Sequence, residues 1–207
     1  MVCATARSGT GFSSRAFTAV GHPCGHEALF SPTRATRHSP ALQGDSSWLA
    51  LPFLDRLPDD VVIYHQVRHP LLVLRSLVGI RMLTKPSQWL DFIEHHHPSI
   101  VKHDDELTRC AAYWLLWNET LLSSEADRRV YRRFQIEDLD FDLLWDMITP
   151  LGHTPLRSLA QRRFRAIAPN YNTRTRAGSI TAEQLTQRGL YDDVATLAGE
   201  LDYDMPL

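Results

Sequence analysis

The chain has few lysines, few cysteines and no long apolar run. Of its 22 basic residues only Lys85 and Lys102 are lysines, so arginine is the cation to expect at any anion-binding site. The three cysteines, Cys3, Cys24 and Cys110, are scattered without metal-ligand spacing, which argues against a disulfide framework and fits a reducing compartment. No run of about 18 apolar residues and no charged-then-apolar leader is present, so neither a membrane span nor export is predicted. We therefore expect a cytoplasmic protein.

A strong charge of either sign is also missing. The 22 basic and 24 acidic residues give a net charge of −2, which argues against a nonspecific binder of nucleic acid or of membrane surfaces. The composition, 43% hydrophobic and 22% charged over 207 residues, is that of an ordinary globular protein with one core. We predict a single domain over residues 1–207. The sequence does not indicate an oligomeric state.

Short apolar runs alternate with helical patterns along the chain. Strands are predicted at Val2–Thr5, Val61–Val67 and Val130–Ile136. Helices are predicted at Ser13–Val20, Leu71–Leu83, Ser87–His95, Asp104–Ser123, Asp140–Thr149, Leu156–Ile167, Ala182–Gln187 and Tyr191–Leu201. This alternation predicts a three-layer α/β/α domain with a mostly parallel central sheet. The polar segment Thr33–Ser47, punctuated by proline and glycine, is predicted to be a mobile loop.

The stretch ARSGTGFSSR, residues 6–15, connects the first strand to the first helix. Gly9 and Gly11 allow backbone N–H groups to approach an oxyanion, and Arg7 adds a cation at the loop entrance. Hydroxyl donors are available at Ser8, Thr10, Ser13 and Ser14. The stretch lacks the lysine of the nucleoside-triphosphate pattern G-x-x-x-x-G-K-[ST]. It therefore predicts an anion bound without a metal, and a plain Gly/Ser turn is the alternative.

A second motif, VRHPLLVLRSL, places Arg68 at a strand end and Ser76 eight residues later. The two motifs together resemble the sulfotransferases that use 3′-phosphoadenosine 5′-phosphosulfate (PAPS), whose phosphosulfate loop reads roughly P-[KR]-S-G-T-T. The resemblance implies a P-loop-containing nucleotide-binding fold and no required metal. It assigns the 3′-phosphate to Arg68 and Ser76. It assigns the 5′-phosphosulfate to Arg7, Ser8, Gly9, Thr10, Gly11, Phe12 and Ser13. The chain departs from the family at Ala6, usually proline, and at Gly11, usually threonine.

The segment GHPCGHEALF, residues 21–30, resembles the catalytic-base segment of tyrosylprotein sulfotransferases. The resemblance places the general base on Glu27. His26 is the rival, because an imidazole titrates near neutral pH. A structural role for Glu27, as a cap or as the partner of an arginine, also stays open. His22 is interpreted as a hydrogen-bonding spacer in a turn.

Three further groups of residues have both a functional and a structural interpretation. Arg174, Arg176 and Gly178 lie where the family closes a basic loop over the 3′-phosphate and adenine, although a solvated basic loop fits equally well. The histidines 95–97 are too closely spaced for one tetrahedral metal site, so no metal is assigned. Trp114 and Trp117 recur at helical spacing and are interpreted as core, with a place for one of them at the edge of an acceptor pocket as the alternative.

The resemblance implies transfer of a sulfuryl group from PAPS to a hydroxyl or amine acceptor, in line, with Glu27 as the base and Arg7 stabilising the leaving group. One alternative is a nucleotide-dependent kinase with a degenerate P-loop, and another is a noncatalytic nucleotide-binding module. Residues 33–47 and 87–104 are expected to shape the acceptor pocket, whose ligand can be a small molecule, a peptide or a glycan. No nucleic-acid partner is expected.

Overall fold

The strands form one parallel sheet. A computed structural model describes residues 1–31, 42–125, 131–152, 155–167 and 179–206. The strands of this described part are β1 (Val2–Ala4), β2 (Cys24–His26), β3 (Gly44–Ser47), β4 (Ile63–Val67) and β5 (Tyr131–Gln135). They pair in the order β2-β3-β1-β4-β5, and each neighbouring pair is parallel. The prediction of an α/β fold with a mostly parallel sheet is confirmed.

Helices fill most of the connections between the strands. The α-helices of the described residues are α1 (Thr10–Ala19), α2 (Pro70–Val78), α3 (Gln88–His96), α4 (Pro98–Val101), α5 (Glu106–Ser123), α6 (Phe141–Ile148), α7 (Arg157–Arg165), α8 (Ala182–Thr186) and α9 (Tyr191–Glu200). Short 3₁₀ helices span Leu51–Arg56, Ile136–Asp138 and Thr149–Leu151. Among the helices described, none combines the length and the apolar character that a membrane crossing needs.

The helix predicted over Leu71–Leu83 is too long at its carboxyl end. The helix α2 ends at Val78, and the chain then turns through residues 79–83. The backbone bonds of this turn include those from the N–H of Arg81 to the carbonyl of Val78 and from the N–H of Met82 to the carbonyl of Leu77. The apolar residues after Val78 still pack into the core, which explains why their pattern resembled a continued helix.

Helices cover both faces of the sheet because successive side chains of a strand point to opposite faces. Cys3 and Ile63 belong to a buried cluster that includes α2, α3, α5 and α9. Their strand neighbours Val2 and Tyr64 belong to a second cluster, which includes α1, α6 and α7. All five positions of β4 are buried, as is usual for a parallel strand between two helical layers. This arrangement is consistent with the predicted three layers.

The strand β3 corrects one prediction. The segment Thr33–Ser47 was predicted to be a mobile loop, and this is wrong over Gly44–Ser47. Gly, Asp and Ser have low strand preference, so the local sequence carries no signal. The backbone pairs with β1 on one side and with β2 on the other, and Asp45, Ser46 and Ser47 are fully buried. Residues 33–41 lie outside the described part.

The topology brings the carboxyl ends of the strands together beside β1. From β1 the chain runs to β2 and β3 on one side, and then crosses from β3 to β4 on the other side. Ligands of open parallel sheets bind at such a point. The helix α5 supports this edge, because the Tyr113 hydroxyl accepts the N–H of Ala6 at 2.8 Å. Trp114 and Trp117 of α5 are buried, which confirms them as core residues.

Candidate functional site

The loop after β1 has a backbone suited to close approach of an anion. Arg7 and Gly9 have positive φ angles of 71° and 96°. Gly9 directly precedes α1 and offers no side chain to cap it, and the first N–H groups of a helix have no intrahelical acceptor. A Cβ on Gly9 would lie 3.1 Å from the side chain of Ile136, so this position combines a left-handed backbone with tight packing. Thr10, Gly11 and Phe12 of the first turn of α1 line a cavity.

The serines of the loop divide between the cavity and the fold. The Ser13 hydroxyl donates to the side-chain oxygen of Gln66, and the Gln66 amide donates to the carbonyl of Ser8 at 2.6 Å. The Ser14 hydroxyl donates to a carbonyl of β2 at 2.8 Å. Ser8 and Thr10 line the cavity, whereas Ser13 and Ser14 do not. Three of the four hydroxyls considered for the anion are therefore paired inside the fold, because the buried Ser8 hydroxyl also bonds to the Thr5 hydroxyl.

The residues expected at the two ends of a donor meet in space. Arg68 follows β4, and its Nη1 donates to the carbonyl oxygen of Arg7 at 2.9 Å. Ser76 lies in α2, and its Oγ accepts a hydrogen bond from Nε of Arg7 at 3.0 Å. The sequence separations are 61 and 69 residues. The fold thus assembles the two distant motifs into one group.

This group lines a cavity of about 990 Å³ that extends across the carboxyl ends of the strands. The cavity is also lined by Gly11, Phe12, His26 and Glu27. Its cations are Arg7, Arg68, Arg75, Arg81, Lys85 and Arg165. Its carboxylates are Glu27, Glu137 and Asp140. Six cations against three carboxylates among the described lining residues favour an anionic ligand, although the chain as a whole carries a net charge of −2.

His26 is the last residue of β2 and Glu27 follows it, on the other side of the loop. Glu27 Oε1 lies 3.5 Å from Nε2 of His26, and the same His26 nitrogen lies 3.0 Å from the Thr10 hydroxyl. Glu27 has a φ of 55°, and its N–H donates to the carbonyl of Ser46. Both rival bases therefore lie at the carboxyl end of β2, beside the loop.

Burial is the main influence on the Glu27 carboxyl, and it raises the pKa of Glu27 above the usual range. The nearby Asp45 carboxylate adds to this increase, while His26, the Trp48 indole and Arg7 oppose it. Asp45 also holds the turn, because its carboxylate accepts the N–H groups of residues 28 and 29 at 3.1 Å each. A raised pKa makes Glu27 a better proton acceptor near neutral pH than an exposed glutamate.

Other candidates from the sequence lie elsewhere. His22 is buried and outside the cavity lining, and its Nδ1 has no hydrogen-bond partner in the described structure. His96 packs against Phe92, and His97 packs against Trp117. No group of His, Cys, Asp and Glu in the described residues could hold a metal ion. Arg174, Arg176 and Gly178 lie outside the described part of the chain.

Several residues of the cavity were not identified from the sequence. Trp48 and Trp89 line it, and so do the basic side chains of Arg75, Arg81 and Lys85. Of residues 87–104, which were expected to shape the acceptor pocket, Ser87 and Trp89 line this cavity. In the sequence, Trp48 follows a strand, and Arg81, Lys85 and Trp89 follow the motif that contains Arg68. Their place in the cavity could not be predicted from these positions without the strand order.

Comparison with known proteins adds no relative. No protein-family model, no curated protein and no solved structure matches the chain.

Proposed function

We propose that the protein is a sulfotransferase that moves a sulfuryl group from PAPS to a hydroxyl or amine acceptor. The observation that carries this proposal is the contact of Arg7 with both Arg68 and Ser76 at 2.9 and 3.0 Å. The family resemblance assigns these three residues to the two ends of the donor. The strand order, with the Gly-rich loop after the central β1, supports a P-loop-containing nucleotide-binding fold.

The residues present fit the donor in charge and shape. The N–H groups at the start of α1 and the guanidinium of Arg7 suit the 5′-phosphosulfate. Arg68 and Ser76 suit the 3′-phosphate, which ATP lacks. Apolar side chains that could contact the adenine line the same cavity at Phe12, Ile136, Leu139, Phe164 and Ile167. A sulfonate carries less charge than a terminal phosphate, so backbone donors and arginines can serve it without a metal.

In the proposed reaction, the acceptor oxygen forms a bond to sulfur in line with the breaking bond between sulfur and the donor's 5′-phosphate oxygen. The electron pair of the broken bond stays with the leaving adenosine 3′,5′-bisphosphate, where Arg7 stabilises the developing charge. The acceptor proton passes to the Glu27 carboxylate, whose buried position raises its basicity. His26 hydrogen-bonds to Thr10 and can position Glu27 from 3.5 Å.

Thermal unfolding with different nucleotides tests the proposal. We expect adenosine 3′,5′-bisphosphate without metal to raise the midpoint by about 5–10 °C when its concentration is a hundred times its Kd. Adenosine 5′-monophosphate, which lacks the 3′-phosphate, is the matched control and should raise the midpoint much less. Transfer of labelled sulfate from PAPS to an acceptor then tests the activity itself. Stronger stabilisation by magnesium-ATP than by the bisphosphate would favour a kinase instead.

A further inference from the structure

The part of the cavity beside Glu27 has an aromatic wall. Trp48 follows β3 and Trp89 lies in α3, and their ring centroids are 5.6 Å apart in an edge-to-face arrangement. The Trp48 indole is close enough to the Glu27 carboxyl to lower its pKa. Both tryptophans line the cavity together with Met82. The rings of Trp48 and Trp89 therefore form an apolar surface beside the proposed base.

Two cationic side chains, Arg81 and Lys85, line the same cavity as these tryptophans. Arg81 and Lys85 line the cavity in the segment between α2 and α3, and Lys85 precedes Trp89 by four residues. The N–H of Lys85 donates to the carbonyl of Arg81 at 2.9 Å, so the two residues lie one turn apart. Neither cation forms an ion pair within the described residues. An acidic ligand group could therefore use both of them.

The backbone of this segment is held in an unusual conformation. Arg81 has a φ of 54°, a region that residues with a side chain seldom adopt outside functional or strongly constrained sites. Leu83 and Thr84 are held against α5, because the Glu106 carboxylate accepts the N–H of Leu83 at 3.1 Å and the hydroxyl of Thr84. Arg109 donates to the carbonyl of Leu83 at 2.9 Å. These contacts hold the backbone around the two cations before any ligand binds.

The same arrangement determines where charge on a ligand is tolerated. The carboxylate of Glu27 repels an anion placed directly beside it, whereas Arg81 and Lys85 attract one. A ligand hydroxyl at Glu27 and an acidic group at the two cations therefore belong to opposite ends of one molecule. The cavity volume, about 990 Å³, lies at the upper end of the range for small-molecule sites and has space for a second small molecule beside a nucleotide.

We propose that the acceptor is a small aromatic hydroxyl compound with an acidic group at the far end of its ring. The ring packs against Trp48 and Trp89, the hydroxyl faces Glu27, and the acidic group binds Arg81 and Lys85. This inference rests on the proposed sulfotransferase function, since it names the acceptor of that reaction.

Calorimetric titration tests the acidic subsite without requiring turnover. The probes are 4-hydroxyphenylacetate and its neutral counterpart 4-methylphenol, each titrated with and without saturating adenosine 3′,5′-bisphosphate. We expect the acid to bind about tenfold more tightly than the neutral phenol, as a charge-assisted contact provides. Lys85→Gln should remove most of this preference, and so should Arg81→Asn, since asparagine tolerates the left-handed backbone. Lys102→Gln is the matched control, because Lys102 is the other lysine, is exposed and lies outside the cavity lining.

The outcomes separate this inference from the proposed function. Equal affinities for the two probes, or a preference unchanged in Lys85→Gln and Arg81→Asn, would overturn the acceptor assignment even if sulfate transfer occurs. Selective binding of the acid that is lost in these variants supports the subsite. If the acid binds selectively but labelled sulfate never reaches it from PAPS, the sulfotransferase function falls and the site remains one for hydroxyaromatic acids. Transfer to the acid with a higher kcat/KM than to 4-methylphenol supports both.

Discussion

The strands β3 and β4 both border β1, but they are built from very different sequences. β4 reads IYHQV and is buried throughout, whereas β3 reads GDSS and carries no apolar side chain. β4 leads to Arg68, which donates a hydrogen bond to Arg7 in the loop after β1. β3 leads to Trp48 and supplies Asp45, which holds the turn after Glu27. The half of the cavity proposed for the donor thus rests on a strand with strong local preference, and the half proposed for the acceptor rests on a strand that forms only through pairing.

The two strands also differ in how they satisfy buried polar groups. In β4, His65 is buried between the Tyr131 hydroxyl at 2.6 Å and the Asn118 side-chain oxygen at 3.0 Å. In β3, Asp45 accepts two backbone N–H groups, but the Ser46 hydroxyl is buried without a partner in the described structure. A buried polar group without a partner costs free energy. We therefore expect β3 to be a less stable support for its side of the cavity than β4.

The largest expected effect comes from Glu27→Gln on the β3 side. The amide keeps the shape of the side chain but cannot accept the acceptor's proton. We expect turnover with the true acceptor to fall by about 10²–10⁴, while the affinity for adenosine 3′,5′-bisphosphate stays within a few-fold. Steady-state kinetics and nucleotide titration measure the two quantities. The loss should be smaller with an acceptor whose hydroxyl is already acidic.

The neighbouring histidine provides the control for this experiment. His26→Asn removes the rival base and keeps a polar side chain near Thr10. If His26→Asn abolishes transfer and Glu27→Gln retains it, the two roles are exchanged. If neither substitution lowers the transfer rate, neither residue is the general base.

Acidification is expected to lower the free energy of unfolding through His65 of β4. Burial lowers the pKa of His65 from 6.5 to about 4, so the unfolded chain binds more protons than the native state between these values. The contribution of His65 to stability is therefore complete above pH 6.5 and is lost as the pH falls towards 4. The loss is about 3 kcal/mol. Urea unfolding at several pH values, compared with His65→Gln, measures it; equal pH slopes for the two proteins would contradict the prediction.

A smaller effect is expected from Arg68→Ala at the end of β4. Removal of a charge-assisted contact to the 3′-phosphate costs about 1.5–3 kcal/mol, or roughly one to two decades in affinity for the bisphosphate. The rate at saturating donor should change less. Arg162→Ala, an exposed arginine of α7 outside the cavity lining, is the matched control. Unchanged affinity in Arg68→Ala would show that the 3′-phosphate binds elsewhere.

The smallest expected effect is that of Gly25→Ala in β2, which tests the β3 side directly. An added Cβ would lie 2.5 Å from the Asp45 carboxylate and 2.6 Å from the Ala28 side chain. We expect a loss of about 1–3 kcal/mol in the free energy of unfolding and a lower transfer rate, with bisphosphate affinity retained. Gly199→Ala is the control, since its Cβ would meet no atom within 4 Å. A parallel loss of bisphosphate affinity would show that the two halves of the cavity are not independent.

The motifs beside strong local patterns could be predicted, and those beside weak ones could not. The apolar run of β4 and the Pro70 start of α2 placed Arg68 and Ser76 correctly on a strand end and a helix. The position of Glu27 came from a motif alone, because neither β2 nor β3 has a strand-like sequence. Trp48, Arg81 and Lys85 were missed because their part in the cavity depends on the strand order and on a turn after α2.

By itself the sequence determined the alternation of strands and helices, the Gly-rich turn without lysine, and the predominance of arginine among the cations. These properties follow from local preference and composition, which act over a few residues. Only the tertiary structure decided that Arg7 contacts Arg68 and Ser76, that Glu27 lies beside His26, and that GDSS forms a strand. The reason is that hydrogen bonds between parallel strands join distant segments, and no short stretch of sequence specifies its partner.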